Sequence, residues 1–357
     1  MVETVSVAFL GDIYIGGNPA ISMEPEVCKV LREADLVVGN QEGSITSCSE
    51  PVVKKCCIRS VVESAEILKS WGIMVVSLAN NHMFDYGWEG FKETQRLLDK
   101  AGISYVGAGK DLQQACRPLI VEIKGTKIGL LAYSWQFVQT TCATENSYGC
   151  APLETGLIIS QIRKLRSNSD AVIVLPHWGY CEYPFPVPQQ VELGKRMIKA
   201  GATAVIGHHS HVVQGVVEEE GQLLAYSLGN FVFAEYSDRG RAVRLTEDNT
   251  EGVILKIGLV SGRVASYNVI FTVLRDDIIQ IDNSSQRLKK FARRSEPLKL
   301  KDYSRYWRRF VRRRMVKRIL YWANIFNWRH IHKETFIGGW LMVKALFRVG
   351  RKRDSDI

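Results

Sequence analysis

Five of the seven histidines in this chain stand at three points, and each point follows an apolar run of strand length. His82 comes after Ile73-Met74-Val75-Val76-Ser77-Leu78, His177 after Ala171-Val172-Ile173-Val174-Leu175, and the cluster His208, His209 and His211 after Ala202-Thr203-Ala204-Val205-Ile206. Open α/β sheets present ligand sites at the carboxyl ends of their strands, so imidazoles delivered from three such strands can converge on one spot. Two earlier runs end in carboxylates at the same kind of position: Val5 to Leu10 leads into Gly11-Asp12, and Asp35 to Gly39 leads into Asn40-Gln41-Glu42. Histidines scattered through a core carry no such order. The pattern calls for a layered α/β fold with one polar sheet edge.

The intervening sequence agrees. Helical patterns near 24–34, 61–70 and 86–100 alternate with strands near 5–10, 35–39, 73–78 and 103–106, as α/β layers require. Hairpins then follow at 118–123 with 127–133, at 212–217 with 223–226, and at 252–260 with 263–273. Helices near 155–168 and 188–200 precede the strands 171–175 and 202–206. A sheet that mixes parallel and hairpin strands, with helices outside, is the expected architecture.

Gly207-His208-His209-Ser210-His211 is the most specific local signal, because neutral imidazole is the commonest protein ligand of first-row metals. The bland alternative is a hydrogen-bonded polar turn. In Asn80-Asn81-His82 an amide can ligate a metal while the imidazole faces substrate; Asp85 beyond it reads as a helix cap. Asp12 and Asn40-x-Glu42 are singly no more than turn residues, and His177 alone no more than a core histidine. Their weight comes from recurring at one sheet edge. Two metals bridged by a carboxylate and fed by His and Asn suit phosphoester hydrolysis, where they polarise the phosphoryl group and supply a hydroxide near neutral pH. Ser227 to Phe233 reads as a packing turn from which Asn230 reaches the site. Cys181 reads as a packed cysteine, with a reactive thiol at the cleft as the alternative. The chain contains no G-x-x-x-x-G-K-[ST] and no G-x-S-x-G, which excludes a P-loop enzyme and a nucleophile-elbow hydrolase.

Charge divides the chain. Residues 285–357 hold 22 of the 47 Lys and Arg but 5 of the 37 Asp and Glu, a net of +17, while residues 1–284 are net −7. We expect a mildly acidic globular domain over 1–284 and a basic helical tail over 285–357. In the tail, Tyr303, Trp307, Val311, Met315, Ile319, Trp322 and Phe326 recur at helical spacing among arginines, and a shorter amphipathic helix spans 333–347. Three readings of residues 302–348 stand open: attachment to an anionic membrane surface, a subdomain packed on the body, or electrostatic binding of a polyanion. No nucleic-acid motif is visible, which disfavours nucleic acid as the partner. The N-terminus runs straight into a core strand without a leader pattern, and the eight cysteines match neither a zinc ribbon nor a redox pair. The expectation is reduced thiols and a cytoplasmic protein, peripheral at the inner membrane face if the tail binds lipid.

Taken in order, Phe9-Leu10-Gly11-Asp12, Gly39-Asn40-Gln41-Glu42-Gly43, Ser77 to His82 with Asp85 and Gly87, His177-Trp178-Gly179, Gly207 to Val212 with Gln214-Gly215, and Tyr226 to Phe233 resemble the bacterial capsule-synthesis family CapA, the poly-γ-glutamate biosynthesis family. That family is similar to calcineurin-like metallophosphoesterases. The resemblance implies a four-layer α-β-β-α sandwich, here with a C-terminal basic helical extension, and a site for two divalent ions (Mn, Fe or Zn). It implies Asp12, Glu42, Asn81, His177, His209 and His211 as metal ligands. His82, Asp12 and His177 become the expected catalytic residues, and Asn40, His208 and Asn230 the expected substrate contacts. The implied partners are a phosphoester or an anionic polymer, and other capsule-synthesis proteins. The sequence departs from these patterns at four places. Tyr14 stands where metallophosphoesterases carry a strand-one histidine, Glu42 where they carry Asp, Ser210 where the capsule family has Pro, and Cys181 where it commonly has Glu. The rival reading is a non-catalytic assembly component that binds an anionic polymer in the same cleft.

Overall fold

The apolar runs become strands of two facing sheets. A computed structural model of the chain describes residues 3–52, 56–136, 140–238, 241–243 and 245–325. In the nine-stranded sheet the order is Ser22–Met23, Ile278–Ile281, Arg263–Arg275, Glu251–Val260, Val5–Tyr14, Leu36–Gln41, Val75–Ser77 and Ser104–Val106, with Asn230–Phe233 also paired to Val5–Tyr14. From Val5–Tyr14 to Ser104–Val106 the neighbours are parallel, and the hairpin strands on the other side are antiparallel. The six-stranded sheet runs Val216–Glu219, Gln222–Ala225, Ala204–Ile206, Ala171–His177, Thr126–Ser134 and Leu119–Ile123, parallel at its centre and closed by a hairpin at each edge.

Side-chain alternation sorts each strand between two layers. Along Val5–Tyr14, Val5, Val7 and Phe9 face the other sheet, where they meet Ile128, Leu130, Ile173, Leu175, Ala204 and Ile206 in one cluster. Ala8 and Leu10, one residue out of phase, join the outer layer with Val27, Leu31, Leu68, Phe91 and Leu98 of the helices Pro25–Arg32, Ser64–Ser70 and Gly87–Ala101. Thr155–Arg166 and Pro188–Lys199 cover the outer face of the second sheet. Both faces of the central strands are therefore buried, which is why they read as continuous apolar runs. Each fully buried Val, Leu, Ile or Phe contributes about 1.5–3 kcal/mol. The result is the α-β-β-α sandwich.

Three features differ from the sequence reading. The first strand continues past Leu10 to Tyr14, so Asp12 lies within it; the register shifts between Phe9 and Asp12. Ser227 to Phe233 is more than a packing turn, since Asn230–Phe233 adds a parallel strand beside Asp12 to Tyr14. Residues 285–303, read with the tail, belong to the compact unit that ends at Tyr303. The body supplies the acidic partners that hold them: Arg287 pairs with Glu251 and Asp282, Lys290 with Asp248 and Glu251, and Tyr303 Oη donates to the Pro186 carbonyl at 2.7 Å.

The second unit begins at Ser304. The helix Tyr303–Ile325 exposes Arg308, Arg309, Arg312, Arg313 and Arg314. The helix expected over 333–347 lies outside the described residues. Among the described residues no helix is long and apolar enough to cross a membrane.

Candidate metal centre

The carboxyl ends of the parallel strands from both sheets face one another, and the polar residues that follow them meet there. Asp12 reaches the site through the shifted register of its strand. Gly11 permits this, because a Cβ there would stand 2.2 Å from the Gly229 carbonyl oxygen. Asp12 is anchored on both oxygens: Asn40 Nδ2 donates to Oδ1 at 2.8 Å, and the backbone N–H of His209 to Oδ2 at 3.1 Å. The histidine turn is equally constrained. At Gly207 a Cβ would stand 2.0 Å from the Tyr226 carbonyl oxygen. His209 and His211 take φ of 93° and 55°, conformations that cost energy and persist only where the surroundings hold them.

His177 presents Nε2 to the centre, 2.8 Å from Asn81 Oδ1, 3.1 Å from His209 Nδ1 and 3.9 Å from Glu42 Oε1. Asn40 lies on the other side of the ring, 3.4 Å from Nδ1. His211 Nε2 lies 3.6 Å from the same Glu42 oxygen, and its Nδ1 lies 3.0 Å from Asn230 Oδ1 and 3.5 Å from Asp12 Oδ2. Cys181 Sγ is 3.5 Å from His209 Nε2. Over this cluster opens a cleft of about 480 Å³, whose apolar wall includes Ile58 and Phe233. A larger cavity of about 910 Å³, near Lys110, Arg117 and Gln161, gathers none of the histidines, so the smaller cleft is the candidate site.

Burial pushes the imidazoles of His177 and His209 well below the usual histidine range, and the neighbouring imidazoles add to the effect. His208 is lowered too, by desolvation that Asp12 partly offsets. Neutral rings are the form that binds metal. Loss of hydration first, and then the carboxylates Glu42, Glu182 and Asp12, push the Cys181 thiol up to about 12, although the residue reaches solvent at the rim.

The donor set fits divalent ions. Ligand atoms of Asp12, Glu42 and His177 lie within 4.8 Å of one another, as do those of Cys181, His209 and His211. Asn40 Oδ1 is buried without a hydrogen-bond partner among the described residues. Carboxylates, neutral imidazoles and an amide oxygen suit Mn, Fe or Zn better than an all-oxygen ion such as Ca.

The structure thus brings Asp12, Glu42, Asn81, His177, His209 and His211 together, with His82 and Asn230 on the cleft wall. Asn40 and His208 sit beneath it: Asn40 is tied to Asp12, and His208 Nε2 is bonded to the Leu10 carbonyl at 3.1 Å. Asp85, read as a helix cap, stands one residue before the cap position and orients His82 instead. The helix Gly87–Ala101 has Tyr86 at its cap position with no side-chain cap bond, while Asp85 Oδ2 lies 2.7 Å from His82 Nδ1 and accepts from the Ile58 N–H. The i, i+3 spacing of His82 and Asp85 was the available signal. Asn249, absent from the sequence reading, accepts from Asn230 Nδ2 through its carbonyl and donates to the His211 carbonyl.

Residues 6–235 match the family model described as bacterial capsule synthesis protein PGA_cap. The chain is 30% identical over 247 residues to the capsule biosynthesis protein CapA of Bacillus anthracis, a match covering 65% of this chain and 60% of that protein. It is 30% identical over 256 residues to the PGA biosynthesis protein CapA of Bacillus subtilis, covering 69% of this chain and 67% of the relative. The chain therefore spans less than two thirds of the first relative. Among solved structures, a putative 5'-nucleotidase from Staphylococcus aureus in complex with alpha-ketoglutarate superposes with a TM-score of 0.50 at 11% identity, over 81% of this chain and 58% of that one. That likeness is one of fold alone. With the family motifs placed around one centre and the family model spanning most of the sandwich, the chain belongs to the bacterial capsule synthesis protein PGA_cap family.

Proposed function

We propose that this chain is a divalent-metal-dependent hydrolase of phosphoester or related bonds, serving capsule, poly-γ-glutamate or other cell-surface polymer synthesis. The observation that carries the reading is the convergence of Asp12, Glu42, Asn81, His177, His209 and His211 at one sheet edge. Asp12, Asn81 and His177 would hold one ion, His209 and His211 the other, with Glu42 between them. Divalent ions bound there supply Lewis-acid polarisation of a phosphoryl group and of water. The chain's own residues do the rest. His82, oriented by the buried Asp85 carboxylate, holds a proton for the leaving-group oxygen. Asn230 keeps His211 turned toward the centre. The arginines of the helix Tyr303–Ile325 offer a positive face to an anionic polymer or lipid surface.

One observation favours the non-catalytic reading. Tyr14, at the strand-one position where a histidine would complete the site, is buried against Phe233 with ring centroids 4.9 Å apart. The test is the metal content of the purified chain, wild type against the double variant Asp12→Ala, His209→Ala, followed by a phosphoester screen with the bound metal. About two equivalents in the wild type, lost in the variant, are expected together with hydrolysis. No metal above background after reconstitution overturns the reading; metal without hydrolysis transfers the weight to polymer binding.

A further inference from the structure

We propose that Cys181 is a metal ligand, so that Cys181, His209 and His211 form a thiolate–imidazole subsite beside the carboxylate subsite of Asp12, Glu42 and His177. The inference rests on the metal-dependent reading above, and it names the ion class: zinc or another thiophilic divalent ion in the sulfur subsite.

Spacing is the first argument. In a tetrahedral zinc site a thiolate at about 2.3 Å and an imidazole nitrogen at about 2.0 Å stand roughly 3.5 Å apart. Cys181 Sγ and His209 Nε2 are separated by 3.5 Å, and the donor atoms of Cys181, His209 and His211 all lie within 4.8 Å of one another. The second argument is the division of the cluster by one ring. His209 turns Nδ1 to His177 at 3.1 Å and Nε2 to Cys181, so its two nitrogens face two different donor groups. Glu42 Oε1 lies 3.9 Å from His177 Nε2 and 3.6 Å from His211 Nε2, between the two groups, where a ligand shared by two ions belongs.

Backbone geometry holds the sulfur in place. The N–H of Glu182 donates to the Ser210 carbonyl at 2.8 Å, which pins the cysteine loop to the histidine turn. Glu182 (φ 60°), His209 and His211 all sit in the left-handed region around this contact. Binding replaces the S–H bond by a sulfur–metal bond and releases the proton to solvent. A thiolate among imidazoles selects zinc, cobalt or iron over manganese and magnesium, so the two subsites differ in preference.

The test uses the full chain loaded with cobalt(II), read by absorption spectroscopy. Wild type is expected to show a thiolate-to-cobalt charge-transfer band in the near ultraviolet along with visible d–d bands. Cys181→Ser is expected to lose the first and keep the second, while the control Cys28→Ser keeps both. Cys181→Asp is expected to retain the second ion without the charge-transfer band and to gain at least about tenfold in manganese over zinc preference. Visible d–d bands with no charge-transfer band in the wild type, or an unchanged band in Cys181→Ser, overturn the thiolate ligand and leave the metal centre standing. No cobalt absorption in any chain overturns both.

Discussion

Asn40 Nδ2 donates to Asp12 Oδ1 at 2.8 Å and holds that carboxylate toward the centre. The same amide nitrogen packs 3.4 Å from Nδ1 of His177, whose Nε2 faces Asn81, His209 and Glu42. One uncharged residue therefore touches two candidate ligands, one from each sheet, and orients the carboxylate. Partners of this kind typically govern metal affinity by about 10–100-fold. Asn40→Ala is expected to weaken divalent-ion binding by that factor, as read by competition with a chelator. Unchanged affinity would mean that the His209 N–H alone suffices to hold Asp12.

His82 and Asp85 form the second orienting pair. A carboxylate that is wholly buried at 2.7 Å from Nδ1 fixes the ring and leaves its other nitrogen for the cleft. His82→Ala is expected to lower kcat about 10²–10⁴-fold with metal content unchanged. Asp85→Asn should lower kcat in the same direction while KM moves little. Steady-state kinetics on any phosphoester found to be a substrate decide this, and wild-type turnover in His82→Ala would remove the residue from the reaction.

Gly207 measures how tightly the histidine turn is built. A Cβ there meets the Tyr226 carbonyl oxygen at 2.0 Å and Trp178 Nε1 at 2.4 Å, the two atoms that share a 3.0 Å hydrogen bond. Gly207→Ala is expected to cost about 3 kcal/mol, the upper end of overpacking penalties, because the obstructing atom is backbone. Urea unfolding checks the value, and a loss below about 0.5 kcal/mol would show that the turn yields freely.

The clasp between the body and residues 285–303 should be acid-sensitive. Desolvation would raise the Asp248 carboxyl, but the hydrogen bond from Lys290 and the charges of Arg294 and Lys290 outweigh it and hold it below the usual range. A carboxyl depressed in the folded state contributes stability that is present above its unfolded pKa, near 4, and lost as pH falls through the folded value. Asp248→Asn is therefore expected to lower stability at neutral and alkaline pH and to flatten the acid limb below about pH 5, so that the two curves converge in acid. Denaturant melts at several pH values test this; parallel curves for the two chains would refute it.

The strands and the residue types at their ends are legible in the sequence for a physical reason. Strands buried on both faces must be apolar throughout, so Ala171 to Leu175 or Ala202 to Ile206 stand out, and the polar residue that ends each run marks the sheet edge. The partnership of strands is not legible in the same way. Asn230–Phe233 pairs with Val5–Tyr14 across more than two hundred residues, and short motifs carry no information about so distant a neighbour. Charge alone groups residues 285–303 with the tail, yet their cations are matched by Asp248, Glu251 and Asp282, which only folding brings near.

The same boundary runs through the candidate metal centre. Sequence alone determined that carboxylates, amides and imidazoles would gather at the carboxyl ends of the strands, because strand direction and burial follow from local pattern. Only the tertiary structure decided which atoms face the centre. His208 and His209 are adjacent, but His208 is bonded to the carbonyl of Leu10, 198 residues away, while His209 turns its two nitrogens toward His177 and Cys181. Side-chain direction there depends on backbone angles and on partners from the opposite sheet, and those exist only once the two sheets have packed together.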